Sequence, residues 1–248
     1  MTAAVRADGV LRWSSMGAQS PAGLGVTPSD SSTSLIPADH AGVTDLFAVL
    51  AYGEISAFYR LSEEATLSPS LHGKVAVARM AAAELAHFER LDVALTARGA
   101  DVYAAMAPFT RALDDYHRST DPSTWLESMV KFHVGDGIAA DFYREIAGAL
   151  SPDVAAVVRD VLADTGHSEF VVEEVRRAVA TSRSERDRLT LWGRRLLGEA
   201  ITQAQYVMAQ RDELTELVLA ATGDLNGIAT LFDHMQTAHA ERMAVLGL

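Results

Sequence analysis

The stretch MAAAELAHFERLDVAL, from Met80 to Leu95, decides how the rest of the chain is read. It is rich in Ala and Leu, both strong helix formers. Val77, Met80, Leu91 and Leu95 recur at helical spacing, which marks one face for burial. Glu84 and His87 fall on that same face. Burying a carboxylate and an imidazole costs several kcal/mol unless each finds a partner. The fold must therefore supply partners for both.

Three other segments repeat the pattern. Periodicity predicts a helix over about Val43–Ala65, with Phe47, Leu50, Glu54, Phe58 and Leu61 on one stripe. The Met80 stretch lies in a second helix, about Pro69–Arg98, closed by Gly99. The segment VYAAMAPFTRALDDYH bridges to a third, opened by Asp121-Pro122 and striped by Trp125, Met129, Phe132, Asp136, Ala140, Tyr143 and Ala147. A fourth opens at Ser151-Pro152 and carries Val154, Val157, Val161, Asp164, His167, Val171 and Val175. A fifth helix is expected over Glu185–Val218. Gly223-Asp224 separates it from a sixth, ending near Leu246. No strand pattern competes, so the class is all-α, with two helices beyond the first four and a crossover helix between the second and third.

Each of the first four helices thus has an acid interrupting its apolar stripe near mid-helix. In an antiparallel bundle such residues converge at one height, where four carboxylates would repel one another without a cation. His87 and His167 each follow an acid by three residues, one turn along the same face. The set is Glu54; Glu84 with His87; Asp136; Asp164 with His167. Single acid, acid-x-x-His, twice over, is the ligand pattern of carboxylate-bridged di-iron or di-manganese sites in helical bundles. Carboxylates bridge hard cations, and a set without thiolates suits two iron ions or manganese. The intervals agree: 84 − 54 = 30 residues in the first pair and 164 − 136 = 28 in the second. Each allows half a helix, a tight turn and another half-helix.

Chance must be weighed against this. With 33 acids and eight histidines, roughly one acid-x-x-His arises at random. A third instance, Asp114-x-x-His117, lies on the bridging segment with no partner acid at the right interval. Four acids in phase with four apolar stripes are what chance does not supply. Glycines cluster beside the expected ligands: Gly53, Gly135, Gly137 and Gly166. A helical Gly costs roughly 1 kcal/mol relative to Ala, so they point to close helix approach, a bulge or space for substrate. Tyr143, two turns from Asp136, could hydrogen-bond a ligand or simply sit in the core. His239 reads as a core or interface histidine.

Composition bounds the alternatives. The chain has 248 residues, 49% of them hydrophobic, enough for a sizeable core. There is no Cys, which excludes disulfides, thiolate zinc sites and iron–sulfur clusters. A cytoplasmic protein is the simplest expectation. The net charge of −12 argues against broad coating of nucleic acid. No run of about 18 purely apolar residues suggests a membrane span. Residues 1–40, rich in Ser, Gly, Pro and Ala, read as a flexible leader, with a single helical domain over 41–248.

Four segments carry a family resemblance: VLAYGEISAFYR (49–60), AAAELAHFERL (81–91), VGDGIAADFYRE (134–145) and LADTGHSEF (162–170). Together they resemble the MiaE-like branch of ferritin-like proteins, from about Val43 to the C-terminus. The resemblance implies a ferritin-like bundle and a di-iron, dioxygen-dependent monooxygenase. Its founding members hydroxylate the isopentenyl side chain of a hypermodified adenosine in tRNA. Glu54, Glu84, His87, Asp136, Asp164 and His167 would be the ligands. The founding enzymes have Glu where Asp136 and Asp164 stand, one methylene longer, so the second half of the centre is expected to differ in geometry.

A tRNA partner would find its phosphates met at RRAVATSRSERDRLTLWGRR, which places Arg176, Arg177, Arg183, Arg186, Arg188, Arg194 and Arg195 within twenty positions. The plainer reading is a solvated helix junction. A hydroxylase also needs two electrons per turnover, and the chain has neither a glycine-rich dinucleotide turn nor a Cys cluster. A separate electron-donor protein is expected, and the last two helices could wall a pocket or form a homodimer face. Two other readings stay open: a di-metal protein for iron or peroxide handling or for oxidising another small molecule, and a helical scaffold without metal.

Overall fold

Helix starts and stops in this chain are set by capping chemistry. The computed structural model describes residues 36–163 and 168–248; residues 1–35 and 164–167 lie outside the described residues. Most of the expected leader falls in the first of these segments. At its end, Ile36 is buried and donates its N–H to Ala149 O at 2.6 Å, forming a parallel bridge with Leu150. Arg98 reinforces this docking by bonding Ala38 O, His40 O and Thr44 Oγ1.

Helix α1 (Ala41–Glu64) starts where the His40 ring accepts from Gly42 N, and a short 3-10 turn (Ala65–Leu67) extends it. Helix α2 (Leu71–Ala97) is capped by Ser70 and ends at Gly99, whose φ of +74° only Gly adopts without strain. There Gly99 N bonds Thr96 O and Ala100 N bonds Leu95 O, the paired closure of a Schellman turn. The bridging segment forms α3 (Val102–Met106), a 3-10 turn (Ala107–Phe109) and α4 (Thr110–Ser119).

Helix α5 (Trp125–Ala147) begins later than Asp121-Pro122 implied. Thr124 caps it by accepting from Glu127 N, and Glu127 Oε2 accepts from Ser123 N at 2.6 Å, so two orphan donors are met by one Thr-x-x-Glu element. The expected fourth helix is two: α6 (Pro152–Val161), with Pro in its first turn, and α7 (Ser168–Thr181). Asp164, Thr165 and Gly166, all weak helix formers, fall between them, outside the described residues.

The expected fifth helix is also two: α8 (Arg183–Gln210) and α9 (Asp212–Thr222). No Gly or Pro marks the break. Arg211 leaves helical geometry there, and its guanidinium binds Asp45 of α1 through both oxygens, at 3.0 and 2.7 Å. Thr215 takes up the freed Met208 carbonyl at 2.6 Å. Helix α10 (Leu225–Leu246) follows Gly223, with Asp224 as its cap. Three helices, not two, therefore follow the first four segments.

Among the described residues the protein is all-α, apart from the one isolated bridge. Helix α1 packs chiefly on α2, and α5 on α8 and α10; α9 covers α1 and α4 covers α8. The core joins Leu46, Phe47 and Leu50 of α1 to Met80, Leu91 and Leu95 of α2 and Met129, Val134 and Ile146 of α5. By length and composition alone residues 41–67 are long and apolar enough to cross a membrane, although the window is not an unbroken apolar run. Half of that window is buried against other helices, as suits a core helix.

Contact between α1 and α9 depends on Gly42. A Cβ there would lie 2.3 Å from Glu213 O and 2.8 Å from Leu217 Cβ, so one helix would have to move. Gly42→Ala should lower stability by about 1–3 kcal/mol, read as a lower urea midpoint with an unchanged slope; an unchanged midpoint would refute the close approach.

Candidate metal centre

Glu54 projects from the middle of α1, and Glu84 and His87 from the middle of α2. The α2 stripe explains the second pair: Met80, Glu84, His87 and Leu91 are all buried, so helix periodicity carries the polar pair inward with the apolar residues. His87 Nδ1 lies 3.3 Å from Glu54 Oε2 and 3.9 Å from Glu84 Oε2. One donor atom from each of the three residues falls within 4.8 Å of the others.

Burial leaves its mark on both acids. It pushes the Glu54 carboxyl up to about 7, with a contribution from the negative charge of Asp136 and some relief from a hydrogen bond with Glu84. It pushes Glu84 up to about 8; His87 counteracts this, and Glu54 adds to it. Two carboxyl groups forced together out of water must hold protons or a cation. Two hard oxygen donors and an imidazole fit a divalent iron or manganese ion. The Glu54, Glu84 and His87 group could therefore hold a metal ion.

The other expected ligands stand differently. Asp136, at mid-α5, is exposed and lines the cavities on both sides of the group, close enough for its charge to act on Glu54. It is not part of the three-residue cluster. Asp164 and His167 lie outside the described residues. Tyr143 is buried, and its hydroxyl pKa is raised first by burial and then by the Glu54 charge, so it stands near the centre.

The glycines divide. At Gly137 a Cβ would meet the Arg242 guanidinium at 1.9 Å, so its absence lets Arg242 pass and pair with Asp141. At Gly53 and Gly135 the nearest atoms, Leu113 Cδ2 and Tyr116 Oη, would stand 3.7 and 3.9 Å from a Cβ. These two leave room and do not mediate tight helix contact. Gly166 lies outside the described residues.

Two cavities flank the group. One, of about 220 Å³, brings His133, Arg144 and Arg242 beside Glu54, Glu84, His87 and Asp136. The other, of about 290 Å³, runs between α1 and α5 and is mostly apolar. Sequence reading overlooked His133, whose one available signal is its place one turn before Asp136. It also overlooked Lys131 and His117. Lys131 is buried, and burial lowers its pKa to about 8. His117 belongs to the acid-x-x-His set aside as chance; burial chiefly, with Lys131 and Arg60, pulls it down to about 3, so it stands neutral beside the cavity.

The arginine cluster is largely engaged within the chain. Arg177 pairs with Glu173 and Glu174, Arg188 with Glu127 and Glu185, and Arg183 with Asp187 at 3.8 Å. Arg186 bonds Val179 O, and Arg195 bonds Ser119 O and stacks over Trp192. Arg176 and Arg194 are exposed. His239 is buried in α10, and among the described residues neither of its ring nitrogens has a hydrogen-bond partner.

Fold and centre together define an all-helical protein with a buried carboxylate–imidazole group suited to a metal. A family model described as a ferritin-like domain of actinomycetes matches residues 38–221, and the chain belongs to that ferritin-like family. None of the curated proteins compared with it matches.

The raised carboxyl pKa values set a pH dependence for the metal-free protein. Between the unfolded carboxylate range and about pH 8 the folded state keeps protons that the unfolded chain releases, so stability falls as pH rises. The melting temperature of metal-stripped protein should drop between about pH 5 and pH 8.5, then level off. Added Mn(II) or Fe(II) should displace those protons and shrink the drop, and Glu84→Ala should bind less metal. A melting temperature flat over this range would rule out the buried-carboxyl account.

Proposed function

We propose that this protein is a di-metal, dioxygen-dependent oxidoreductase that hydroxylates an aliphatic group held beside Glu54 and Glu84. The observation that carries the reading is the apolar cavity of about 290 Å³ that shares Glu54, Glu84 and Asp136 with the candidate centre. An iron-storage bundle has no need of such a chamber. Val49, Leu50, Phe132, Ile138 and Phe142 line it, so a bound substrate would be shielded from water and turned toward the carboxylates.

Glu54, Glu84 and His87 would hold one side of the centre, and Asp136, Asp164 and His167 the other. When bound, two iron or manganese ions would supply the electron transfer to dioxygen that no side chain can perform. In the overall balance one oxygen atom enters a C–H bond and the other leaves as water, with two electrons and two protons consumed. With no Cys in the chain, a separate reductase or ferredoxin-type protein would provide the electrons. The residues lining the cavity would hold the substrate and exclude water from the reacting carbon.

The finer reading is the one the sequence resemblance suggests, hydroxylation of an isopentenyl side chain on adenosine in tRNA. The resemblance supports it, and the aliphatic lining suits such a group. Five of the seven candidate arginines have partners within the chain, but Arg177 and Arg183 pair only at the exposed surface, where such contacts are weak and a phosphate could replace them. Two measurements test the proposal at its two levels. Purified protein should hold about two metal ions per chain and consume dioxygen when given a chemical reductant, and Glu84→Ala should lose both properties. Protein that takes up no metal would overturn the function. Separately, mass spectrometry of tRNA nucleosides from cells with and without the gene should show loss of the hydroxylated species if tRNA is the substrate. Matching profiles would discard tRNA and leave the oxidoreductase.

A further inference from the structure

The 290 Å³ cavity is not apolar throughout. It runs along α1 and α5, past Glu54 and Asp136 at mid-height. At one end stand Arg60 and Glu64 from α1 and Lys131 from α5; at the other are Leu50, Phe142, Leu214 and Met235. Lys131 is only 6% exposed. Its ammonium donates to Thr120 O at 2.8 Å and passes over the Tyr116 ring, 5.7 Å from its centroid. Among the described residues, no carboxylate lies within 4.0 Å of it. The nearby Glu64 carboxylate accepts instead from Ser128 Oγ. A buried ammonium that is not paired with an acid is costly, and here it opens onto a chamber of substrate size.

Two more polar groups face the cavity between this end and its middle. Among the described residues, the Tyr116 hydroxyl, above Gly135 with the Thr120 side chain nearby, and His117 Nδ1 are both buried without a hydrogen bond of normal geometry. Arg60 is half-exposed, and among the described residues its one ion pair is a long surface contact with Glu63 at 3.4 Å. Glu64 and Asp121 both bear on Lys131, so an anionic head would be recognised here by the directed donors of Lys131 and Arg60 rather than by a net positive charge.

We propose that this cavity binds an aliphatic monocarboxylate, its carboxylate held by Lys131, Arg60 and the Tyr116 hydroxyl and its chain laid past Glu54 and Asp136 into the apolar end. Helical rise sets the register. Lys131 precedes Asp136 by five residues and Phe142 follows it by six, so the head lies about 7.5 Å to one side of the centre and the apolar end reaches about 9 Å to the other. An extended ten-carbon chain is about 11 Å long, so from that head it would pass the carboxylates beyond its midpoint and end part-way into the apolar end, placing an internal carbon, not its tip, beside them. The proposal rests on the oxidoreductase reading and specifies its substrate class.

Calorimetric titration of the full-length, metal-loaded protein with decanoate, decanol and decylamine tests it. Decanoate should bind at least tenfold more tightly than decanol, and decylamine most weakly. Lys131→Met should remove the preference for the acid while changing decanol affinity less than twofold. Arg60→Met, at a half-exposed position, should reduce the preference even if the Lys131 variant fails to fold. Equal binding of acid and alcohol, no binding of either, or a preference that survives both substitutions would overturn the proposal. So would tighter binding of neutral isopentenyladenosine, which would return the cavity to a nucleoside. Metal content measured on the same samples separates the two levels: a full complement without decanoate binding sinks only the carboxylate, and absent metal sinks the function beneath it.

Discussion

Two carboxylates, Glu54 on α1 and Glu84 on α2, face each other out of water with His87 beside both. The arrangement is unfavourable for a bare protein, because each acid must hold a proton far above its usual range or sit beside an equal charge. Much of the surrounding structure meets this constraint. The apolar stripes of α1 and α2 fix the height at which the acids meet. Asp136 comes to the same level from α5. A cation held there would turn the mutual repulsion into a tie between the two helices and offset the cost of placing such a pair among Met80, Leu91 and Leu95.

The space beside the acids is made by subtraction. Ala57, Ala139, Ala200 and Ala204 contribute little volume to the wall, and Gly53 and Gly135 contribute no side chain at all. Larger residues close the ends. The far apolar end owes its wall to the break at Arg211: Val207 and Met208 stand before it on α8 and Leu214 beyond it on α9. A straight helix would present only one of its faces there. The Arg211–Asp45 pair that bends the chain therefore shapes the cavity without touching it.

The architecture was largely visible in the residues, and where it was hidden the reasons are physical. Glu54, Glu84 and His87 could be singled out because helical period alone places them on buried faces. Gly99, Gly223 and Pro152 marked element ends because backbone geometry allows few other residues there. The break at Arg211 gave no such signal, since it is caused by a carboxylate 166 residues away in sequence. The start of α5 was misplaced because Asp121-Pro122 and Thr124 with Glu127 are both respectable caps, and only tertiary contacts choose between them. Lys131 escaped notice for a related reason. A lysine flanked by Val130 and Phe132 normally extends to water, and its burial depends on α4 closing over it. His117 was set aside because no partner acid stood at the right interval, yet its neighbours come from α1 and α5 and not from its own helix. Asp164 and His167 fall outside the described residues, so the second half of the centre still stands on sequence pattern.

The three clustered donors come from α1 and α2, and the chamber beside them is walled by α1 and α5 and closed by α4, α8 and α9. Part of the wall thus lies on helices that carry none of the three donors. Leu113, Ala204 and Leu214 are among these, so a substitution there would change the shape of the chamber and leave the three donors in place. Such an arrangement lets the covering helices change by single small steps, each compatible with an intact donor group. Within a fold of this kind, the donor helices and the covering helices are then free to vary at different rates.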